Sequence, residues 1–218
     1  MARFPSQVVF EKIEKNKVLP IFNHADVEIC REVMAACYRS GIRAFEMTNR
    51  DPKVLDIFKE LQPWVKENCP ELSFGVGTIL DKQSALQFIE AGADFIIAPI
   101  FDLATAEVCN SARIPYIPGC LTPSEMHTAY LSGCELVKLF PAETVGPNYI
   151  KHILGPLPHL KIVATGGLKF EKSEIEEWFN AGVYALGLGS SVFTKKRIRE
   201  KDYAAMENDI RVILSQIP

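Results

Sequence analysis

Lys138 lies in the middle of an apolar run in the segment CELVKLFPAE, residues 134–143. Val137 precedes it, and Leu139 and Phe140 follow it. A lysine is seldom buried among such neighbours without a partner or a chemical purpose. An apolar lining disfavours the charged ammonium form, and a neutral amine can attack a ketone to form a Schiff base. The iminium permits cleavage of a carbon–carbon bond, so Lys138 is the first candidate catalytic residue. The alternatives are a buried structural ion pair and a lysine whose charged head reaches solvent.

Glu46 lies in a second apolar segment, RAFEMTNR (residues 43–50). Schiff-base chemistry needs a group that moves protons, and a carboxylate at the end of another strand can do so. A buried structural ion pair with Lys138 is the alternative. Arg50 could bind a substrate carboxylate through its guanidinium, unless it is a surface arginine at a helix start. Thr78 ends another apolar segment, where a threonine is usually a helix cap.

Two glycine-containing segments, TGG (residues 165–167) and GS (residues 189–190), end two later apolar runs. Glycines expose backbone N–H groups, and a helix start adds a favourable partial charge for an anion. A tight turn is the alternative at each position. The candidates for binding a substrate phosphate group are Thr165, Gly166, Gly167, Gly189 and Ser190.

The elements that position these residues show a recurring pattern. The segments SGIRAFEMT, AGADFIIAP, SGCELVKLF and AGVYALGLG each begin with a small residue and a glycine and continue into an apolar run. Each follows a stretch with helical periodicity, where glycine suits the left-handed residue that ends a helix. The pattern predicts four helix-to-strand joints, at Gly41, Gly92, Gly133 and Gly182, with room for two strand–helix units in each interval.

Further strands are predicted between these joints, at 17–22, 72–78, 115–119 and 160–167. Helices are predicted at 25–39, 52–67, 81–90, 102–112, 123–131, 147–154 and 171–180. Eight strands that alternate with helices favour a parallel sheet closed into a (β/α)8 TIM barrel, with an extra N-terminal helix over 4–16. An open, doubly wound sheet is the alternative. In the barrel, all the candidates, with Pro99 at the end of the fourth strand, collect at the carboxyl ends of the strands, where such barrels hold their active sites.

Composition excludes several classes of protein. The 218 residues include 24 basic and 27 acidic side chains, a net charge of -3 that argues against a nucleic-acid-binding protein. The basic run over 194–202 reads as a solvated helix face or turn. No apolar run is long enough to span a membrane and no leader opens the chain. The six cysteines and four histidines show no ligand spacing. We expect one cytoplasmic domain, 1–218, without a metal or cofactor.

The chain resembles the class I 2-keto-3-deoxy-6-phosphogluconate (KDPG) and 4-hydroxy-2-oxoglutarate (KHG) aldolases from about residue 17 to 194. The matching phrases are SGIRAFEMTNRD, GVGTIL, AGADFIIAP, IPGCLTPSEM, VKLFPAE, TGG and GLGSS. The resemblance implies a TIM barrel, usually a homotrimer. It implies that Lys138 forms the Schiff base and that Glu46 shuttles protons. By the same resemblance Arg50 and Thr78 bind the pyruvate carboxylate, and the phosphate loops contain Gly166, Gly167 and Ser190.

The chain departs from the family pattern near the predicted barrel mouth. The departures are Ala98-Pro99-Ile100 in place of Ser-Pro-Gly or Ser-Pro-His, Asn49 in place of an apolar residue, Phe22 and Asn23 where some members carry a substrate-binding arginine, and Cys120-Leu121 in place of smaller residues. These departures do not affect the lysine chemistry. They leave open which aldehyde forms the other half of the substrate.

We therefore predict an aldolase that cleaves a 2-keto-4-hydroxy acid to pyruvate and an aldehyde. The expected substrates are KDPG, which gives glyceraldehyde 3-phosphate, and KHG, which gives glyoxylate. One alternative is an aldolase for the 6-phosphogalactonate epimer. Others are an isomerase or epimerase barrel in which Lys138 stays free, and a non-catalytic barrel that binds pyruvate or phosphate. The expected partner is a small keto acid, with no nucleic acid and no membrane.

Overall fold

The computed structural model describes residues 2–218, in which parallel strands alternate with helices. The strands are β1 Val18–Phe22, β2 Ala44–Thr48, β3 Ser73–Gly77, β4 Ile96–Ile97, β5 Tyr116–Ile117, β6 Gly119–Cys120, β7 Leu136–Leu139, β8 Lys161–Ala164 and β9 Ala185–Leu188. The helices are α1 Ser6–Asn16, α2 Val27–Arg39, α3 Val54–Asn68, α4 Lys82–Glu90, α5 Leu103–Ala112, α6 Pro123–Leu131, α7 Pro147–Leu154, α8 Lys172–Asn180, α9 Lys195–Glu200 and α10 Tyr203–Gln216, with a short 3₁₀ helix at Ala142–Thr144.

The nine strands form one parallel sheet in the order β5-β4-β3-β2-β1-β9-β8-β7-β6. The two ends of this order, β5 and β6, are separated along the chain only by Pro118. The carbonyl of Ile117 accepts a hydrogen bond from the Ala98 N–H (3.2 Å), and the carbonyl of Pro118 accepts one from the Lys138 N–H (2.8 Å). One extended segment thus pairs with β4 on one side and β7 on the other. The predicted barrel is confirmed, and the open sheet is not the fold.

Helix α1 covers the amino-terminal end of the barrel. Its buried side chains, Val9, Phe10 and Ile13, belong to one cluster with residues from the barrel strands. These residues are Leu19, Ala44, Ile97, Ile117, Leu136, Val163 and Ala185, with Phe95 directly before β4. The lower half of the barrel is therefore a packed apolar core, and only the carboxyl ends of the strands are left to form a pocket. The predicted N-terminal helix is confirmed.

The glycine joints have the predicted backbone conformation. Gly41, Gly92, Gly133 and Gly182 have φ angles of 100°, 94°, 89° and 96°, in the left-handed region that glycine adopts without steric cost. They follow α2, α4, α6 and α8 respectively. At the start of six of the ten helices in residues 2–218, namely α2, α4, α5, α6, α9 and α10, a side chain accepts a hydrogen bond from a backbone N–H of the first turn, as expected of an N-cap. These caps are Asp26, Asp81, Asp102, Thr122, Thr194 and Asp202.

Helix α10 was not predicted from the sequence. It buries Met206, Ile210 and Ile213, and its Glu207 binds Arg39 of α2, with 2.8 Å between Nε and Oε2. The spacing of the three apolar residues, together with the Asp202 cap, was the signal that could have found it. The basic run 194–202 contains α9, which has no buried residue, as expected of a solvated helix. None of the helices in residues 2–218 has the length and apolarity needed to cross a membrane.

Candidate active site

A pocket of about 410 Å³ opens at the carboxyl ends of the strands. The structure brings together there seven of the predicted site residues, namely Arg50, Lys138, Thr165, Gly166, Gly167, Gly189 and Ser190. Three others, Glu46, Thr78 and Pro99, do not line it. The pocket therefore combines residues from β2, β7, β8 and β9 and the loops that follow them, as the barrel prediction requires.

Lys138 lies inside the barrel and is only 7% exposed. Its strand pairs with β6 and β8, with Lys138 opposite Gly119 and Val163. The Nζ atom lies 5.3 Å from the ring centroid of Phe140. Lys138 forms no salt bridge with any described residue. The structural alternative, a direct ion pair with Glu46, is therefore not formed.

Glu46 is 1% exposed, and neither carboxyl oxygen has a hydrogen-bond partner within residues 2–218. Burial raises the pKa of this carboxyl, and the positive charges of Lys138 and Arg50 partly offset that rise. A Cβ atom at Gly77 would overlap the Glu46 carboxyl, so β3 needs a glycine at that point. Glu46 thus lies beneath the pocket, close enough to both cations to feel their charge, with its proton-binding atoms unengaged.

Arg50 presents an unpaired guanidinium to the pocket. It follows β2, its side chain is exposed, and it makes no salt bridge in the part of the chain described. Thr48, two residues after Glu46, is buried and also lines the pocket. A guanidinium with free donors is suited to bidentate binding of a carboxylate.

Thr78 and Pro99 lie outside the pocket lining. Thr78 follows β3 with a φ angle of 62°, a strained conformation for a β-branched residue. Pro99 lies against Gly119, where any Cβ atom would overlap the Pro99 carbonyl. Gly119 is the residue opposite Lys138 in the sheet. Pro99 thus contacts the strand that positions the lysine.

The loops after β8 and β9 supply free backbone donors. Gly166 and Gly167 have φ angles of 103° and 75°. Within residues 2–218, the backbone N–H groups of Gly166, Gly167, Ser190 and Ser191 donate no hydrogen bond. The Gly166 carbonyl accepts instead from the Glu143 N–H at 3.0 Å, which fixes this loop on the 3₁₀ helix. Four unengaged N–H groups at one end of a pocket are suited to an anion.

Sequence reasoning missed several side chains that line the pocket, including Asn23, Thr48, Phe140 and Ser191. Alternation along a strand could have found two of them, because Thr48 lies two residues after Glu46 and Phe140 two residues after Lys138. Asn23, which follows β1, was noted in the sequence only as a departure from the family pattern and was not predicted as a site residue. In the described residues, no group of three or more His, Cys, Asp or Glu side chains is arranged to hold a metal ion.

The sequence model of the family described as KDPG and KHG aldolase matches residues 9–208. The chain belongs to the KDPG and KHG aldolase family. The 2-dehydro-3-deoxy-phosphogluconate aldolase of Haemophilus influenzae is 26% identical over 216 residues, which cover 98% of this chain and 99% of that one. The KHG/KDPG aldolase of Escherichia coli is 30% identical over 152 residues, 69% of this chain and 70% of that one.

The fold agrees with this membership. The crystal structure of KDPG aldolase from Legionella pneumophila superposes with a TM-score of 0.84 at 24% identity, covering 94% of this chain and 97% of that one. The resemblance predicted from the sequence is confirmed, and so is an aldolase as the class of enzyme. The isomerase or epimerase alternative is not favoured.

Proposed function

We propose that this aldolase cleaves KDPG to pyruvate and glyceraldehyde 3-phosphate, and KHG to pyruvate and glyoxylate, through a Schiff base on Lys138. The observation that carries the proposal is a buried amine without an ion-pair partner at the carboxyl end of a barrel. The same pocket has a free guanidinium and a set of free backbone N–H groups at different strand ends. These features match the carboxylate, ketone and phosphate of one substrate.

The chemistry begins at the substrate ketone. The Lys138 Nζ adds to C2, and loss of water from the carbinolamine gives an iminium. A base then removes the proton of the C4 hydroxyl, the C3–C4 bond breaks, and its electron pair moves towards the iminium nitrogen. This step releases the aldehyde and leaves an enamine. Protonation of the enamine at C3 and hydrolysis then release pyruvate and the free lysine.

Glu46 is the group we assign to these proton transfers. A general acid–base group works best when its pKa lies near the working pH, and burial raises the pKa of this carboxyl towards that range. Its two oxygens have no other partner within residues 2–218. A carboxyl held in this way can take a proton from a water molecule or a substrate hydroxyl and return it to the enamine.

The remaining predicted residues are assigned to binding. Arg50 and Thr78 would hold the pyruvate carboxylate, with Pro99 beside the lysine strand. The phosphate would be bound by Thr165, Gly166, Gly167, Gly189 and Ser190. The Legionella pneumophila enzyme is described with pyruvate captured at low pH as a covalent carbinolamine intermediate. A carbinolamine is the adduct that an amine gives with a ketone before water is lost, which supports the same route here.

Borohydride reduction tests the covalent assignment. We expect incubation with pyruvate and borohydride to give one stable adduct, mapped by mass spectrometry to Lys138. Lys138→Arg should lose both the adduct and turnover, because a guanidinium stays charged and is not a nucleophile. Lys161→Arg is the matched control, since Lys161 begins the neighbouring strand β8 at the opposite end of the barrel and should keep both. An adduct on another lysine, or none, would contradict the proposal.

We also propose that residues 1–218 act as one domain and assemble as a cytoplasmic homotrimer. Exposed apolar side chains follow three adjacent strands, at Leu80, Ile100, Leu103 and Leu121. Exposed apolar groups of this kind mark protein–protein contacts. All six cysteines are buried free thiols, which suits a reducing compartment. Sedimentation equilibrium gives the subunit number directly.

A further inference from the structure

The aldehyde half of the substrate must be recognised without a cationic side chain from the pocket wall. Among residues 2–218, the cations that line the pocket are Lys138 and Arg50, and the proposed function assigns both to the keto-acid half. The far end offers backbone N–H groups, Ser190 and the uncharged Asn23. Building on that proposed function, we propose that Asn23 determines specificity by binding the substrate hydroxyl that lies between the breaking bond and the phosphate group.

The position of Asn23 places it beside the phosphate loops. It follows β1, which lies between β2 and β9 in the sheet. Asn23 is therefore located between the strand end that carries Arg50 and the strand end that carries Ser190. A second cavity of about 540 Å³ adjoins the active-site pocket, and Phe22, Asn23 and Phe193 line both. The Phe22 and Phe193 rings meet edge to face with 5.5 Å between centroids.

The side-chain oxygen of Asn23 selects for a hydrogen-bond donor, whereas its NH2 group can pair with any acceptor. The side-chain oxygen Oδ1 of Asn23 is buried and has no hydrogen-bond partner in the described residues. Leaving a buried acceptor without a partner costs free energy, so a ligand group that donates a hydrogen bond to this oxygen is favoured. A substrate hydroxyl is a donor, whereas a carboxylate or a fully ionised phosphate offers only acceptors. The hydroxyl next to the phosphate-bearing carbon is the donor that the aldehyde half of KDPG supplies.

This assignment predicts a preference among aldehydes. Glyceraldehyde 3-phosphate and glyceraldehyde carry a hydroxyl on the carbon next to the carbonyl, and glyoxylate carries a carboxylate there. The enzyme should therefore favour hydroxylated sugar-acid substrates over KHG even when the phosphate is absent. The preference would be set by Asn23 and not by the loops that bind phosphate.

The test runs the reaction in the direction of synthesis. Pyruvate is condensed with D-glyceraldehyde or with 3-hydroxypropanal, which differ only in that hydroxyl. For wild type we expect kcat/KM to be about three- to tenfold higher with D-glyceraldehyde, the range of one uncharged hydrogen bond. Asn23→Leu, of similar size, should abolish the preference. Asn23→Asp retains an acceptor and should keep it. Asn148→Leu, an exposed asparagine of α7, is the control and should behave as wild type.

The outcomes separate the two proposals. Loss of the preference in Asn23→Leu but not in Asn23→Asp supports the assignment. A wild type without the preference, or a preference that survives in Asn23→Leu, overturns it. If circular dichroism shows that Asn23→Leu does not fold, Asn23→Ala replaces it and should likewise lose the preference for D-glyceraldehyde. Wild type that forms no borohydride adduct with pyruvate would instead contradict the proposed function, independently of Asn23.

Discussion

Replacing Glu46 by glutamine changes how stability depends on pH, because the native carboxyl is buried and unpaired. Its pKa is raised in the folded protein, whereas in the unfolded chain it is close to the ordinary value of about 4.3. Between these two values the folded state holds a proton that the unfolded state has released. The stability that this proton contributes is fully present below the unfolded pKa and is lost as pH rises through the folded pKa.

The size of the effect follows from linkage. While the folded state holds one extra proton, the free energy of unfolding falls by about 1.4 kcal/mol for each pH unit. Glutamine does not titrate, so Glu46→Gln lacks this loss. The stability difference between Glu46→Gln and wild type should therefore grow in favour of the variant from about pH 5 upwards and level off above the folded pKa. A buried amide without partners adds only a constant offset.

Urea unfolding followed by circular dichroism measures the difference. Wild type, Glu46→Gln and Glu67→Gln are compared from pH 5 to pH 8 at one protein concentration. Glu67 is an exposed residue of α3 and serves as the control, whose curve should run parallel to that of wild type. Parallel curves for Glu46→Gln and wild type would refute the reasoning, since they would mean that Glu46 titrates alike in both states.

Two further predictions concern turnover. Glu46→Gln should slow cleavage by about 10²- to 10⁴-fold and sharply reduce exchange of the pyruvate methyl protons with deuterated water; unchanged exchange would assign the proton transfer to another group. Ser190→Asp should damage cleavage of KDPG far more than that of KHG, since a carboxylate repels phosphate and each lost charge-assisted bond is worth about tenfold or more in kcat/KM. An equal loss of kcat/KM on both substrates, with the fold intact, would show that these loops do not bind the phosphate group.

The barrel was predictable because its signals are local. A glycine that ends each helix and an apolar run after it recur along the chain, and Gly41, Gly92, Gly133 and Gly182 take the conformation that this pattern requires. The break at Pro118 was not predicted, because proline removes one N–H from the ladder without changing the apolar pattern around it. Helix α10 was predictable on similar local grounds, because Met206, Ile210 and Ile213 have helical spacing, but it lies beyond the eight strand–helix units and no helix was predicted there.

The site was predictable only in part, because its residues meet across the barrel. The chain order indicates that Lys138 and Arg50 both reach the carboxyl ends of strands, and the pocket contains both. It does not indicate which side chains remain unpaired there. The unpartnered oxygens of Glu46 and Asn23 depend on barrel closure and on the register between strands. Local periodicity carries no information on either.

The unpaired state of Lys138 and Glu46 is best explained by function. Two buried groups of opposite charge would be more stable in contact, and yet they form no salt bridge within residues 2–218. Gly77 lets the Glu46 carboxyl lie across β3, and Phe140 places its ring beside the lysine. A direct ion pair would favour the ammonium and carboxylate forms, and so work against the roles proposed for Lys138 as nucleophile and for Glu46 as proton carrier. Without a direct ion pair, the raised pKa of the buried Glu46 carboxyl favours its protonated form, at a cost in stability that the pH dependence of Glu46→Gln measures.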